Sequence, residues 1–276
     1  MVLFRNIFPS ARSVLRSGTF WIVALGHSGG SIILTSSRIL GSYFKDTSYG
    51  TISADQAGEF SAFLSLGIFV GLYVGGKQFS SLASDDRRRK RFIQRNYTIS
   101  VGMCYILALL AVPMTRSFIY FPSLVTLFQI ISTFFMGAGV AVQLYCIPAI
   151  VGASFGANKG LYFSYTDGVA YLVGSMVWGL VAGAVTEGNP QGSGWAYGWA
   201  AVALLVILAG WLMVEFVGRY FAQGGATYRH QSLPSNNKPH YIDPLVSEEK
   251  LLIVDVDKME QEKRSSNDQF SPIITL

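Results

Sequence analysis

Two ionisable side chains, His27 and Asp167, lie inside long apolar stretches of the sequence and are the first candidates for chemistry. His27 belongs to the run Phe20–Leu40, and Asp167 belongs to the run Leu161–Val185. An ionised carboxylate at the centre of a membrane helix costs about 2.5–3.5 kcal/mol, so it requires a polar partner or a wet cavity. We therefore predict that His27 and Asp167 form a protonatable or solute-contacting pair beside a cavity. The alternative is a structural hydrogen bond between two helices.

Further polar residues recur on the same helical faces. Ser31 and Arg38 follow His27 by four and eleven residues, which keeps all three on one narrow face at about 100° per residue. Two glutamines share a face of the run Leu124–Val151, and a tyrosine shares the face of Asp167. The predicted cavity is lined by His27, Ser31, Arg38, Gln129, Gln143, Asp167 and Tyr171.

Arg38 leaves two interpretations open. It could attract an anionic solute into the cavity, or it could extend from the outer end of its span toward the membrane surface. Glu59, at the outer start of the next apolar run, is its expected ion-pair partner.

Residues 26–30 read Gly-His-Ser-Gly-Gly and match the G-x-S-x-G motif of serine hydrolases. That motif requires a strand before the serine and a helix after it, whereas this copy lies inside an apolar run. An intramembrane serine protease would need a histidine base on another helix, and the other two histidines lie in the polar C-terminal tail. No phosphate-binding loop, HExxH or CxxC occurs, so we predict no enzyme activity, no metal and no cofactor.

The elements that must position these residues are apolar. The chain of 276 residues is 51% hydrophobic and 13% charged, about half the charged content of a soluble domain. Apolar runs of about 20 residues cross a bilayer as helices, because lipid offers no hydrogen-bond partners for the backbone N–H and C=O groups. We predict an all-α membrane protein with a cytoplasmic segment 1–19, a transmembrane domain 20–221 and a disordered cytoplasmic tail 222–276. Its six predicted spans are Phe20–Leu40, Glu59–Phe79, Tyr97–Met114, Leu124–Val151, Leu161–Val185 and Trp199–Phe216.

The basic residues predict the orientation. If the spans alternate from a cytoplasmic N-terminus, the outer loops contain only Lys45 and Arg116. The inner segments then contain Arg5, Arg12, Arg16, the run Arg87, Arg88, Arg89, Lys90 and Arg91, and also Arg95 and Lys159. This bias predicts that both termini are cytoplasmic and explains the net charge of +5 without a nucleic-acid partner. The sequon that begins at Asn96 then lies on the cytoplasmic side.

Glycines at four-residue spacing predict close helix packing. Gly67, Gly71 and Gly75 form two overlapping GxxxG steps in the second span, and Gly179 and Gly183 form another in the fifth. Small residues at this spacing let two helix backbones approach closely in a membrane.

Taken together, the spans resemble one half of a major facilitator superfamily permease, specifically its C-terminal six-helix half. The basic run 87–91, preceded by Gly75, Gly76, Asp85 and Asp86, is similar to the family's basic loop between the second and third helices of a half. The stretch 157–183 is similar to the fifth helix of the C-terminal half.

The resemblance implies two inverted three-helix repeats and secondary transport of a small solute by alternating access. The expected partners are the lipid bilayer, the solute, and a second six-helix half or a second copy of the chain. A non-transporting membrane scaffold or a truncated transporter fragment is the alternative.

Overall fold

The computed structural model describes residues 14–16, 18–48, 51–82, 85–112, 122–153, 159–188 and 193–222. Regular structure in these residues is entirely helical, which confirms the predicted all-α class. Most of the predicted segment 1–19, and the predicted disordered tail apart from Ala222, lie outside the described residues.

Eight α-helices and one π-helical turn follow one another along these residues. Their bounds are α1 Gly18–Thr35, α2 Ser37–Thr47, α3 Ala54–Val70, the π-helical turn Gly71–Gly75, α4 Gly76–Ser81, α5 Asp86–Ala111, α6 Pro122–Ala153, α7 Lys159–Gly188 and α8 Ser193–Ala222.

Four helical segments are long and apolar enough to cross a membrane, judged by length and composition. They are Ala54–Ser81, Ser123–Val151, Gly160–Val185 and Ser193–Arg219. The apolar helix Phe20–Thr35 is shorter. This pattern fits a multi-pass membrane protein.

The first predicted span, Phe20–Leu40, is interrupted in the structure. Ser36 separates α1 from α2, and its hydroxyl donates a hydrogen bond to the Ile33 carbonyl at 2.6 Å. The Thr35 hydroxyl likewise donates to the Ser31 carbonyl at 2.6 Å. Hydroxyls that bond backward to the preceding turn compete with the helical ladder and bend helices, which accounts for the break.

The third predicted span, Tyr97–Met114, extends past the described residues and is seen only to Val112. Its helix, α5, begins eleven residues earlier than the predicted span, at Asp86. Asp85 caps it, because the Asp85 carboxylate accepts a hydrogen bond from the Arg88 backbone N–H at 3.0 Å. The basic run is therefore the first two turns of this helix rather than a loop.

Helix α6 lies at the centre of the bundle. In its most apolar stretch 72% of the residues are buried, against 28% for the segment 54–81 and 28% for α7. It packs against α3, α5 and α1, while α1 also packs against α7 and α8. The segment 54–81 and α7 therefore leave most of their apolar surface uncovered by the rest of the described chain.

Glycines bring the segment 54–81 into backbone contact with α6. A Cβ atom on Gly67 would overlap the Phe134 carbonyl oxygen, and one on Gly71 would lie 2.6 Å from Ala138 Cα. Gly75 instead faces the Val142 side chain, and a Cβ atom there would be 2.7 Å from Val142 Cγ2. In an α-helix, two residues that are four positions apart are rotated by about 40° from each other around the helix axis. The wider π-helical turn rotates less per residue, so Gly75 faces α6 as Gly67 and Gly71 do.

The end of the bundle opposite the basic run is closed by hydrogen bonds. Gln129 of α6 donates to the Tyr43 hydroxyl at 3.2 Å and to the Thr47 hydroxyl at 3.0 Å. The Tyr43 hydroxyl in turn donates to the Leu107 carbonyl at 2.8 Å. The Tyr43 ring also packs edge-on against Trp199, with the two centroids 5.7 Å apart. This network ties α2, α5, α6 and α8 together.

Candidate functional site

A cavity of about 310 Å³ lies among α1, α6 and α7. Its polar walls are His27, Ser31, Tyr145, Asp167 and Tyr171. The cavity therefore combines an acid, an imidazole and hydroxyl groups inside a bundle of apolar helices.

The cavity is located toward the end of the bundle that carries the basic run. Tyr145 lies two turns before α6 ends at Ala153, and Asp167 lies two turns after α7 begins. Gly139 of α6 lies beside Asn96 of α5, because a Cβ atom there would be 2.7 Å from the Asn96 carbonyl oxygen. The C-terminal part of α6 therefore runs beside the arginine-rich start of α5.

His27 and Asp167 are in contact across α1 and α7. His27 Nε2 and Asp167 Oδ1 are 3.1 Å apart. The two side chains differ sharply in exposure, since His27 is 4% exposed and Asp167 is 55% exposed. His27 Nδ1 is buried and has no hydrogen-bond partner among the described residues. The pair thus joins a buried imidazole to a carboxylate that faces open space.

The seam between α1 and α7 explains why this pair forms. Gly174 of α7 lies against the α1 backbone, where a Cβ atom would be 3.1 Å from the Ser31 carbonyl oxygen. One turn further on, the Trp178 indole donates a hydrogen bond to the Ile32 carbonyl at 2.6 Å. This indole bond fixes the axial register of the two helices, and that register sets His27 level with Asp167.

The other walls come from residues that the sequence did not single out. They are Leu34, Leu144, Pro148, Ala149 and Phe163. Pro148 lies inside α6 and has no N–H, so the Leu144 carbonyl loses its usual helical donor. Phe163 precedes Asp167 by four residues, which places both on one face of α7. Helical spacing from Asp167 could have located Phe163, whereas the glutamines that pointed to α6 did not identify Leu144, Pro148 or Ala149.

Of the seven predicted cavity residues, the structure brings together His27, Ser31, Asp167 and Tyr171. Arg38, Gln129 and Gln143 are not among the cavity walls. Arg38 is exposed on α2, beyond the break at Ser36. Within the described residues, the ion pairs that form do not include one between Arg38 and Glu59.

The two glutamines have structural surroundings instead. Gln129 belongs to the network at the opposite end of the bundle. Gln143 is buried, and its amide donates to the Gly139 carbonyl at 2.7 Å within α6. Its side-chain oxygen has no hydrogen-bond partner in the described part of the chain. The fact that Gln129 and Gln143 share one face of α6 therefore did not predict that they line the cavity.

The glycines of the G-x-S-x-G sequence are packing residues in the structure. A Cβ atom on Gly29 would be 2.6 Å from Ala209 Cβ, and one on Gly30 would be 2.7 Å from the Leu144 side chain. Gly26 lies similarly close to Met213. The Ser28 hydroxyl donates to the Ala24 carbonyl at 2.8 Å within α1. The motif thus lies in a continuous helix rather than at a strand-to-helix turn.

The remaining predicted glycines and the basic run have separate surroundings. A Cβ atom on Gly179 or Gly183 would meet no atom within 4 Å in the described chain. Arg89 is buried, with its guanidinium 5.1 Å from the Phe79 ring centroid, whereas Arg87 and Arg91 are exposed.

The described residues contain no cluster of three or more His, Cys, Asp or Glu side chains placed to hold a metal ion.

Comparison of the chain with models of protein families, with curated proteins and with solved structures finds no match. The resemblance to the major facilitator superfamily therefore stays a prediction from the sequence.

Proposed function

We propose that this chain is half of a secondary transporter that moves a small solute across a membrane by alternating access. The observation that carries the proposal is the His27–Asp167 pair on the wall of a half-open cavity among apolar helices. Polar and ionisable groups inside a membrane are costly and characteristically belong to solute pathways or proton relays.

The proposed topology has six spans in two groups of three. Helices α1 and α2 together form the first span, the segment 54–81 forms the second, and α5 to α8 form the rest. The basic start of α5 faces the cytoplasm, as do both termini.

The two ends of the bundle differ in a way that supports alternating access. The cavity lies near the basic end, whereas the opposite end is closed by the Gln129 hydrogen bonds and the rings around Tyr43. We interpret this arrangement as one half of a transporter with its solute site accessible from the cytoplasm.

A second half supplies the missing wall. Asp167 is 55% exposed, and the α7 surface continues from it through Tyr171, Leu172 and Met176, which are all exposed. On the other flank, Phe69 and Tyr73 are exposed as well. A second six-helix half, either another chain or another copy of this one, covers the cavity from this side.

Counterflow in proteoliposomes tests the proposal. The purified chain is reconstituted, loaded with unlabelled solute and assayed with labelled amino acids, organic cations, sugars and phosphate esters. We expect flux of at least one class, and we expect both Asp167→Asn and His27→Ala to abolish it. Glu59→Gln is the matched control, because Glu59 is an exposed acid on α3 that lies outside the cavity wall.

Two results would contradict transport. Flux of the Asp167→Asn and His27→Ala variants at the wild-type rate would show that the His27–Asp167 pair is not needed for transport. Self-association without counterflow of any solute would favour the scaffold alternative.

A further inference from the structure

The charge of the cavity points to a class of solute. Asp167 is the one acid among the described cavity walls, and no lysine or arginine is among them. Arg38, the residue whose position in the sequence suggested an anionic solute, lies on α2 outside the cavity. When the His27 imidazole is neutral and donates to Asp167 through Nε2–H, the site retains the full negative charge of the carboxylate.

We propose that this cavity binds a small organic cation of the ammonium class, with Asp167 as its counter-charge. The proposal rests on the proposed function, because it identifies the solute of the same site.

Aromatic rings supply the second element of recognition. Tyr145, Phe163 and Tyr171 line the cavity together with Asp167, and both tyrosines are close to half exposed. The face of an aromatic ring attracts a cation through its quadrupole, and sets of aromatic side chains are known binding sites for alkylated ammonium groups. A carboxylate in a cavity lined by three aromatic rings matches a cation that is charged and partly apolar.

The size of the cavity fits a small solute. A volume of about 310 Å³ lies at the lower end of the range for small-molecule sites. This volume accommodates a compact amine.

Equilibrium binding to the full chain in detergent tests the proposal without requiring flux. The probes are three molecules of similar shape, namely choline, the uncharged 3,3-dimethylbutan-1-ol and the anion 3,3-dimethylbutanoate, together with phenethylammonium. Isothermal titration calorimetry should detect binding of at least one of the two cations. Each of the two shape analogues without positive charge should bind at least roughly tenfold more weakly than choline.

Variants distinguish a loss of binding caused by removing the Asp167 charge from a loss caused by misfolding. Asp167→Asn should weaken cation binding roughly tenfold or more, while Asp167→Glu should retain most of it, because it keeps the charge. Tyr171→Leu should weaken binding several-fold, and Glu59→Gln should leave it unchanged. Unfolding temperatures of all variants, measured in the same detergent, identify any loss that comes from misfolding.

The inference is overturned if neither cation binds, if the neutral or anionic analogue binds as tightly as choline, or if folded Asp167→Asn binds cations like the wild type. Cation binding that depends on Asp167 without any counterflow would support this inference and contradict transport. Counterflow restricted to uncharged or anionic solutes would contradict this inference and support transport.

Discussion

Replacing Gly67 with alanine tests the contact that joins the segment 54–81 to α6. The new Cβ atom would overlap the Phe134 carbonyl oxygen and lie 2.8 Å from the carbonyl carbon, and both are backbone atoms that cannot rotate away. An ordinary contact begins near 3.4 Å, so the two helices must separate by at least about 0.6 Å. Overpacking of this kind costs about 1–3 kcal/mol of unfolding free energy.

The matched control is Gly179→Ala on α7. A Cβ atom there meets nothing within 4 Å, so this variant keeps only the helix-propensity gain of alanine over glycine, about 1 kcal/mol. Gly67→Ala has the same gain, so propensity cancels when the two variants are compared. We expect Gly67→Ala to be less stable than Gly179→Ala by the overpacking cost alone, about 1–3 kcal/mol.

Thermal unfolding in detergent, followed by circular dichroism or tryptophan fluorescence, measures this difference. For a chain of this size each kcal/mol corresponds to about 2–4 °C in Tm. Equal stabilities for the two variants, within about 0.5 kcal/mol, would refute the close approach of these helices. A lower Tm for Gly179→Ala than for the wild type would instead show that a partner covers that face of α7.

Three further predictions concern the opposite end of the bundle and the topology. Gln129→Leu removes two hydrogen bonds, including the one to Tyr43, and should cost about 1–3 kcal/mol in the same unfolding assay while leaving ligand affinity unchanged; an unaltered Tm would contradict the network. Asp55→Cys and Arg91→Cys, in a background without the native cysteines, should react with a membrane-impermeant maleimide from opposite sides, and labelling from one side only would rule out the proposed topology. Asn96, which is 8% exposed within α5, should carry no glycan after expression in a eukaryotic host, as mass spectrometry can check, and a glycan there would invert the topology.

The helical class could be predicted from the sequence because it depends on local chemistry. Long apolar runs with few charges have no other way to satisfy their backbone in lipid. The boundaries were harder, because the Ser36 break and the helical start of α5 depend on single hydroxyl and carboxylate hydrogen bonds. Such bonds involve one or two residues and do not alter the hydropathy of a run.

The site could be predicted only in part, because periodicity assigns residues to a face but does not name the neighbouring helix. His27 and Asp167 lie at similar depth on their helices, and the α1–α7 seam brings them together. Gln143 has the same polar character, yet it is buried within the bundle and outside the cavity wall. Tyr145, two residues further along α6, lines the cavity instead.

The same limit applies to the glycines. Gly71 and Gly179 each belong to a small-residue repeat, but only Gly71 meets another backbone in the described chain. The repeat shows that a close approach is sterically allowed. Whether a neighbour is present depends on the fold and on any partner subunit.

The π-helical turn at 71–75 imposes a length constraint on the chain. Adding or deleting one residue there would hardly alter composition, yet it would rotate everything from Gly76 onward by about 100° relative to α3. Phe79 would then turn away from Arg89, and the entry into α5 would be misdirected. Exposed side chains of this stretch can therefore vary in evolution, whereas the number of residues between Gly67 and Phe79 is constrained.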